Sequence, residues 1–322
     1  MKNLYKLKNN IFKNIFIFSF SIILILFSLE LFVRIVIDDG NRFEFEMTKY
    51  AKYLKVVDKQ NSNIVDHVPN KTIRIMGTDV LTDSNGFRIK KNFENNLNKK
   101  KILMLGDSVT FGFGSKETFS DYLNNRYKEY IFLNTGVGNT NTIMQIDRFF
   151  HKLKKFKSEI IILNFFINDL ENIKYNKKSW YHNFYLYNFI KYNSKIISIK
   201  FGLNKNNKKF YYDTFKEKNI LNKTFKKISE LDQYSKQENI FFFVNIIPDF
   251  RYLENYPFYN EENILINFLN TKNIKYIQGI DFLKNNESEK YWVSKNDAHP
   301  NENGHKLIAD YLEKYLNKNF IF

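Results

Sequence analysis

The sequence predicts an α/β domain built on a parallel sheet, preceded by a membrane-spanning helix and a small β-rich segment. From Lys101 onward, short apolar runs alternate with segments of helical period. A long apolar segment lies near the amino terminus, and the region between carries turn signals without a strong helical period. We therefore expect a basic tail, an anchor, a β-rich membrane-proximal segment and the main domain over residues 1–14, 15–37, 38–100 and 101–322.

The apolar segment Ile15–Ile37 would span about 34 Å as a helix, enough to cross a hydrocarbon core of about 30 Å. Glu30 and Arg34 interrupt its second half at a spacing that lets them pair on one helix face. No small-x-small cleavage site follows, so we expect an uncleaved anchor rather than a signal peptide or a soluble apolar helix. The lysines before the span place the amino terminus in the cytoplasm and the main domain on the periplasmic or extracellular side.

The segment between the anchor and the main domain is expected to form short strands and hairpins. The candidate strands lie in Val65–Asn70 and Thr72–Arg88, with turn signals at Gly77-Thr78 and Asn85-Gly86.

The main domain begins with an alternation of strands and helices, which is typical of a parallel sheet covered by helices on both faces. We predict strands at Ile102–Leu105, Ile131–Leu133, Ile160–Phe165, Ile240–Ile247 and Lys275–Ile277. We predict helices near Glu117–Lys128, Thr142–Phe156, Ile220–Tyr234, Glu261–Leu269 and Asn303–Leu316. In such a sheet the functional site lies at the carboxyl ends of the strands.

Composition excludes several classes of function. The chain has 50 Lys and Arg against 34 Asp and Glu, a formal net charge of +16, but the basic residues form no stripe and no recognition motif, so we expect no nucleic-acid partner. The absence of cysteine excludes disulfides, thiol catalysis and Cys-ligated zinc. His67, His151 and His182 have no metal-ligand spacing, so we predict neither a metal nor another cofactor.

A serine follows the first strand of the main domain, in Gly106-Asp107-Ser108, and an Asp/His pair lies near the far end in Asp297-Ala298-His299. A serine at a strand tip with such a pair is the minimum set for nucleophilic acyl transfer. The α/β-hydrolase elbow is excluded because Thr110 stands where its second glycine would be.

These residues resemble the SGNH, or GDSL-like, hydrolase superfamily over roughly residues 101–322. Four blocks in family order carry the resemblance: Leu105–Gly112, Asn134–Thr142, Phe165–Asp169 and Asp297–Asn301. The resemblance implies a three-layer α/β/α, flavodoxin-like fold with Ser108 as nucleophile, His299 as general base and Asp297 as the orienting acid. It also implies an oxyanion hole formed by the Ser108 N–H, the N–H of Gly138 or Asn139, and the side-chain amide of Asn168.

The chain departs from the family pattern at three positions. Asn139 occupies the place of the oxyanion glycine, with Gly138 just before it, and asparagine tolerates left-handed backbone. Phe166 replaces a glycine in the third block. Many members place the acid where this chain has Asn296, whereas Asp297 matches others.

Residues 171–216 form an aromatic insertion of the main domain, expected either as a sugar platform or membrane-leaning lid, or as a helical hairpin packed on the domain. The resemblance and the expected location imply a serine esterase that removes an acyl group, such as acetyl, from an envelope carbohydrate ester. The alternatives are an O-acyltransferase acting on polysaccharide, a lipid esterase, and a non-catalytic carbohydrate-binding or assembly protein. The sequence leaves the oligomeric state open.

Overall fold

The computed structural model describes residues 2–91, 99–173, 180–295 and 297–320. These form two compact units, Met1–Thr48 with Lys177–Asn204 and Lys49–Asn176 with Lys205–Phe322. The helices are α1 (Lys2–Phe32), α2 (Phe43–Tyr53), α3 (Ser108–Phe111), α4 (Phe119–Arg126), α5 (Thr142–Arg148), α6 (Tyr185–Lys200), α7 (Asn207–Lys216), α8 (Lys218–Gln237), α9 (Tyr259–Thr271), α10 (Ile280–Leu283) and α11 (Glu302–Asn319). The strands are β1 (Lys55–Val57), β2 (Val65–His67), β3 (Thr72–Ile75), β4 (Thr78–Thr82), β5 (Arg88–Ile89), β6 (Lys100–Leu105), β7 (Tyr130–Asn134), β8 (Ile160–Phe166), β9 (Phe241–Ile247), β10 (Lys275–Gln278), β11 (Trp292–Ser294) and β12 (Asp297–Pro300).

The first unit is built around α1, which continues into a π-helical turn at Val33–Ile37. Among the described residues, Asn10–Ile37 is the one helix long and apolar enough to cross a membrane, with a mean hydropathy of 2.5. Its large apolar side chains are exposed along nearly its whole length. In the same unit, α6 packs against the end of α1 and against the π-helical turn.

The second unit contains an eight-stranded sheet in the order β10-β9-β8-β6-β7-β5-β4-β3. The strands from β10 to β7 are parallel, whereas β5, β4 and β3 are antiparallel. In chain order the parallel strands are arranged 2-1-3-4-5, which is the flavodoxin-like order. The predicted α/β fold with a flavodoxin-like parallel sheet is therefore confirmed.

Helices cover both faces of this sheet because the crossovers change direction after β7. Right-handed crossovers place α4 on one face and α5, α8 and α9 on the other. The packing agrees, since α4 contacts α11 while α5 contacts α8. The middle strand β8 is buried at all seven positions, as expected for a strand with helices on both sides.

The structure differs from the sequence-based expectation in three places. Residues 43–53, expected to be without helix, form α2, and β3–β5 extend the central sheet instead of standing apart from it. The helix predicted over Thr142–Phe156 ends at Arg148 and continues as a π-helical turn and a 3₁₀ turn. The aromatic insertion is helical, but α6 belongs to the first unit and α7 to the second, and residues 174–179 lie outside the described residues.

Candidate active site

The expected nucleophile lies on a single helical turn directly after β6. Asp107 begins this turn, because its Oδ1 accepts a hydrogen bond from the Val109 N–H at 2.8 Å. Gly106 permits the tight entry, since a Cβ there would lie 2.0 Å from Thr110 Oγ1. Ser108 is thus held at the carboxyl edge of the sheet, where ligands of such folds bind.

The three residues predicted as a catalytic triad come together. His299 Nε2 lies 2.9 Å from Ser108 Oγ, and His299 Nδ1 lies 2.5 Å from Asp297 Oδ1. The Asp297 carboxylate accepts a hydrogen bond from the Nδ1–H, so the neutral ring presents Nε2 as an acceptor toward the serine hydroxyl. Asp297 also accepts the backbone N–H of His299 at 3.1 Å, which shows how an acid two residues away reaches the ring. Asn296 lies outside the described residues.

The surroundings of His299 favour its protonated form. Burial lowers the pKa of the ring, but the charge and hydrogen bond of Asp297, with the charge of Asp107, raise it more, so the net pKa lies above the usual 6.5. The His299 side chain is 18% exposed, so solvent can reach it. Such a ring can take a proton from a hydroxyl and pass it on.

A pair of buried carboxyl groups lies behind the nucleophile. Burial raises the pKa of Asp107, and burial together with the charge of Asp107 raises the pKa of Asp169 well above its usual value. Asp169 is held by Thr142 Oγ1 and Gln145 Nε2, which both donate to it at 3.1 Å. The pair thus couples the turn after β6, the turn after β8 and helix α5.

The loop after β7 carries the two candidate oxyanion donors, Gly138 and Asn139. Asn139 has φ +55°, so it adopts the left-handed conformation that a glycine would adopt easily. The Gly138 N–H donates to the Tyr50 hydroxyl at 2.7 Å, and Lys55 Nζ donates to the Gly138 carbonyl at 2.7 Å. Both backbone groups of Gly138 are therefore used to fix the loop.

Tyr50 belongs to a hydrogen-bonded chain that sequence reasoning missed. Its hydroxyl lies 2.7 Å from His67 Nε2, and His67 Nδ1 lies 3.3 Å from the Gly86 carbonyl. Burial lowers the pKa of His67 to about 3, so the ring is neutral at physiological pH and donates from Nδ1 to that carbonyl. Tyr50 then donates to Nε2 while it accepts from Gly138.

The third predicted donor, Asn168, lies in a 3₁₀ turn after β8, and its side chain lies close enough to Asp107 to lower the pKa of that carboxyl. Its Oδ1 is buried without a hydrogen-bond partner. Phe166, which stands where the family has glycine, is buried, and its N–H donates to Asp169 at 3.3 Å. The predicted donors thus follow β6, β7 and β8 at the same edge of the sheet.

Arg88 supports the loop that follows the nucleophile. Its guanidinium is buried and donates to the carbonyls of Phe111, at 2.8 Å, Gly112 and Ser115. Burial lowers the pKa of Arg88 to about 10, which still leaves it charged at neutral pH. No sequence motif marks this residue, because its partners are backbone carbonyls on another segment.

Within the described ranges, no group of three or more His, Asp or Glu side chains could hold a metal ion. At the carboxyl edge of the parallel strands the structure joins a serine hydroxyl, an imidazole ring and a carboxylate in one hydrogen-bonded row, with the candidate amide donors in the neighbouring loops.

No protein-family model matches this sequence, and no curated protein matches it. Solved structures of lipases and esterases are similar to it at low identity. A GDSL-like lipase from Bacteroides thetaiotaomicron is 11% identical, covering 69% of this chain and 89% of the lipase with a TM-score of 0.39. An acetylxylan esterase from Geobacillus stearothermophilus is 13% identical, covering 67% of this chain and 93% of the esterase with a TM-score of 0.43. A two-domain esterase active on acetylated mannans is 13% identical, covering 68% of this chain and 49% of that protein with a TM-score of 0.43.

Proposed function

We propose that this chain is a membrane-anchored serine ester hydrolase of the SGNH type. The observation that carries the proposal is the continuous hydrogen-bonded chain from Asp297 through His299 to Ser108. A chain of this kind makes an ordinary hydroxyl nucleophilic, because the ring accepts the proton as the oxygen attacks. A non-catalytic protein would not need these three side chains within hydrogen-bonding distance of one another. The geometry therefore argues against the non-catalytic alternative.

In the proposed reaction Ser108 Oγ attacks the carbonyl carbon of an acyl ester, and its proton moves to His299 Nε2. Asp297 stabilises the resulting imidazolium. The tetrahedral intermediate expels the alcohol, which takes the proton from His299, and leaves an acyl-serine. Water then attacks the acyl-serine, and His299 takes its proton. When the carboxylic acid leaves, His299 returns the proton to the Ser108 oxygen.

The intermediate carries a negative oxygen that needs fixed donors. We assign this role to the N–H of Ser108, to the N–H of Gly138 or Asn139 in the loop after β7, and to the side-chain amide of Asn168. In the structure the Gly138 N–H donates to the Tyr50 hydroxyl.

The substrate class we propose is an acylated carbohydrate of the cell envelope, with acetyl as the acyl group. This assignment is supported by the sequence resemblance and by the expected position of the second unit beyond the anchor in Asn10–Ile37. An O-acyltransferase would use the same acyl-serine and differs only in the acceptor. A lipid esterase would differ in its preference for chain length.

The test is hydrolysis of p-nitrophenyl esters of increasing chain length by the full chain in detergent. We expect the highest kcat/KM with acetate, and Ser108→Ala to lower it by at least about 10³-fold because no nucleophile remains. Ser235→Ala is the matched control, since this hydroxyl only donates to Leu231 within α8. Equal activity of wild type and Ser108→Ala would refute the proposal.

The same assay separates the alternatives. Transfer of the acyl group to an added oligosaccharide, with little free acid, would favour the transferase. A preference for long chains would favour the lipid esterase.

A further inference from the structure

One face of α6 is apolar, exposed and flanked by lysines. Ile190 and Ile197 lie two turns apart on this face with 55% and 53% exposure, and Phe201 continues the row just after the helix with 74%. Lys191 and Lys195 are exposed on one flank of the helix, roughly 100–140° around its axis from this row. Soluble surfaces rarely show such a row, which marks a site of interaction.

A second face of α6, roughly 100–140° around the helix axis from this row, is packed within the first unit. The ring of Tyr185 lies 4.8 Å from that of Phe45, and the Arg42 guanidinium lies 5.4 Å from the ring of Phe189. The helix therefore has a fixed rotation, and its outward apolar row is a consequence of that packing.

The amino terminus of α6 is fastened to α1 by a buried carboxylate. Glu30 is 8% exposed and accepts the backbone N–H groups of Tyr185 at 3.0 Å and Leu186 at 2.8 Å. Arg34 Nε donates to Glu30 at 2.6 Å, and Arg34 Nη2 donates to the Asn183 carbonyl at 3.2 Å. Glu30 thus supplies the negative charge that a helix amino terminus favours, from a different helix.

A span that begins at Asn10 places the point of attachment near the far boundary of the membrane. The rise from Asn10 to Glu30 along a helix is about 30 Å, which equals the thickness of the hydrocarbon core. When Asn10 is at one boundary, Glu30 is at the other, and α6 begins there. Trp180, Tyr181 and Phe184 are exposed immediately before α6, and aromatic residues of this kind are enriched at that boundary.

We propose that α6 lies in the membrane interface beside the anchor, with Ile190, Ile197 and Phe201 against the acyl chains and Lys191 and Lys195 at anionic lipid phosphates. The inference rests on the proposed anchor. A lipid surface is favoured over a protein partner because the row adjoins the candidate span and the flanking charge complements phosphate. The membrane would then contact the first unit through two helices.

The chain has no cysteine, so single cysteines can report on depth in the full-length protein. Ile197→Cys and Phe201→Cys, labelled with an environment-sensitive dye, are reconstituted into phosphatidylcholine–phosphatidylglycerol vesicles with and without lipids brominated on the acyl chains. Ile23→Cys marks the span, and exposed Lys272→Cys in the second unit marks solvent. Each labelled variant is first checked for the esterase activity of the parent chain.

We expect the brominated lipids to quench Ile197→Cys and Phe201→Cys at least about half as strongly as Ile23→Cys, and to leave Lys272→Cys unchanged. Reversing the flanking charges with Lys191→Glu and Lys195→Glu should weaken the quenching at Phe201→Cys in these anionic vesicles.

If Ile23→Cys is quenched while both α6 positions behave like Lys272→Cys, α1 spans the membrane but α6 does not lie in the interface, and the inference is refuted. The apolar row of α6 would then be assigned to a protein partner. If Ile23→Cys is not quenched either, the anchor itself fails, and the inference fails with it.

Discussion

Asp297 acts on His299 both by orienting the ring and by raising its pKa. In the proposed mechanism His299 must be unprotonated to act as the base, so we expect kcat/KM to rise with pH to a plateau, with a midpoint above the usual histidine value of 6.5. Asp297→Asn should lower the plateau by about 10²–10⁴-fold and move the midpoint to lower pH, because a charge that favours the protonated ring is gone. The measurement is the pH profile of p-nitrophenyl acetate hydrolysis. Asp232→Asn, at a half-buried position of α8 where the carboxylate pairs with Lys236, is the control that should leave the profile unchanged. A midpoint that stays in place in Asp297→Asn would contradict the assignment.

At the residue scale, the sequence could predict the side chains whose chemistry requires a short, recognisable motif. Ser108, His299 and Asp297 stand in short motifs because acyl transfer needs those groups in a fixed relation, and the structure joins them. Tyr50 and His67 could not be predicted in the same way. Their contact depends on helix α2 meeting strand β2, and nothing local in the chain encodes that approach.

At the scale of elements, helix α2 and strand β2 jointly hold the loop after β7 through the Tyr50 hydroxyl. Tyr50→Phe removes the acceptor of the Gly138 N–H and the donor to His67 while the ring still fills its buried site. We expect a loss of about 1–3 kcal/mol in the free energy of unfolding, because buried polar groups lose their partners. We also expect kcat to fall by roughly tenfold with KM little changed, since a displaced donor weakens transition-state binding.

Tyr311→Phe is the matched control for this element. Its buried hydroxyl donates to Asn245 at 2.9 Å, so its loss should cost comparable stability. We expect its kcat to stay near the wild-type value. An equal fall of kcat in both variants would show that Tyr50 acts on stability alone.

Sequence periodicity predicted the buried parallel strands but not helix α2. The central parallel strands β8 and β9 read as continuous apolar runs because they are buried on both faces, and they were predicted to within a few residues. Helix α2 was missed because its buried apolar residues Phe45 and Tyr50 lie five apart, which does not form a regular helical stripe. Its stability comes from tertiary packing rather than from pattern.

At the scale of the whole molecule, the candidate span in Asn10–Ile37 and the lysines before it predict that the amino terminus and the second unit lie on opposite sides of a membrane. With the full chain expressed in spheroplasts, an impermeant maleimide should label Lys272→Cys to near completion and leave Asn10→Cys unlabelled. After lysis both positions should react, which shows that both are chemically competent. Labelling of Asn10→Cys in intact spheroplasts would contradict the proposed orientation.

The overall architecture could be predicted only for the region in which strands and helices alternate. Alternating strands and helices specify a parallel sheet, and the right-handed crossover then restricts its order. The addition of β5, β4 and β3 to the far edge could not be derived, because pairing between β5 and β7 is a single contact of Arg88 with Asn134 between distant segments.

The two edge strands of the eight-stranded sheet affect how readily copies of the protein aggregate at high concentration. Both edge strands, β3 and β10, are only four residues long, and each carries an exposed basic side chain, Arg74 and Lys275. Short, charged edges offer a poor template for another chain, so they oppose edge-to-edge aggregation between copies. At high protein concentration, association of copies through the ends of this sheet is therefore disfavoured, and the net charge of +16 adds repulsion between them.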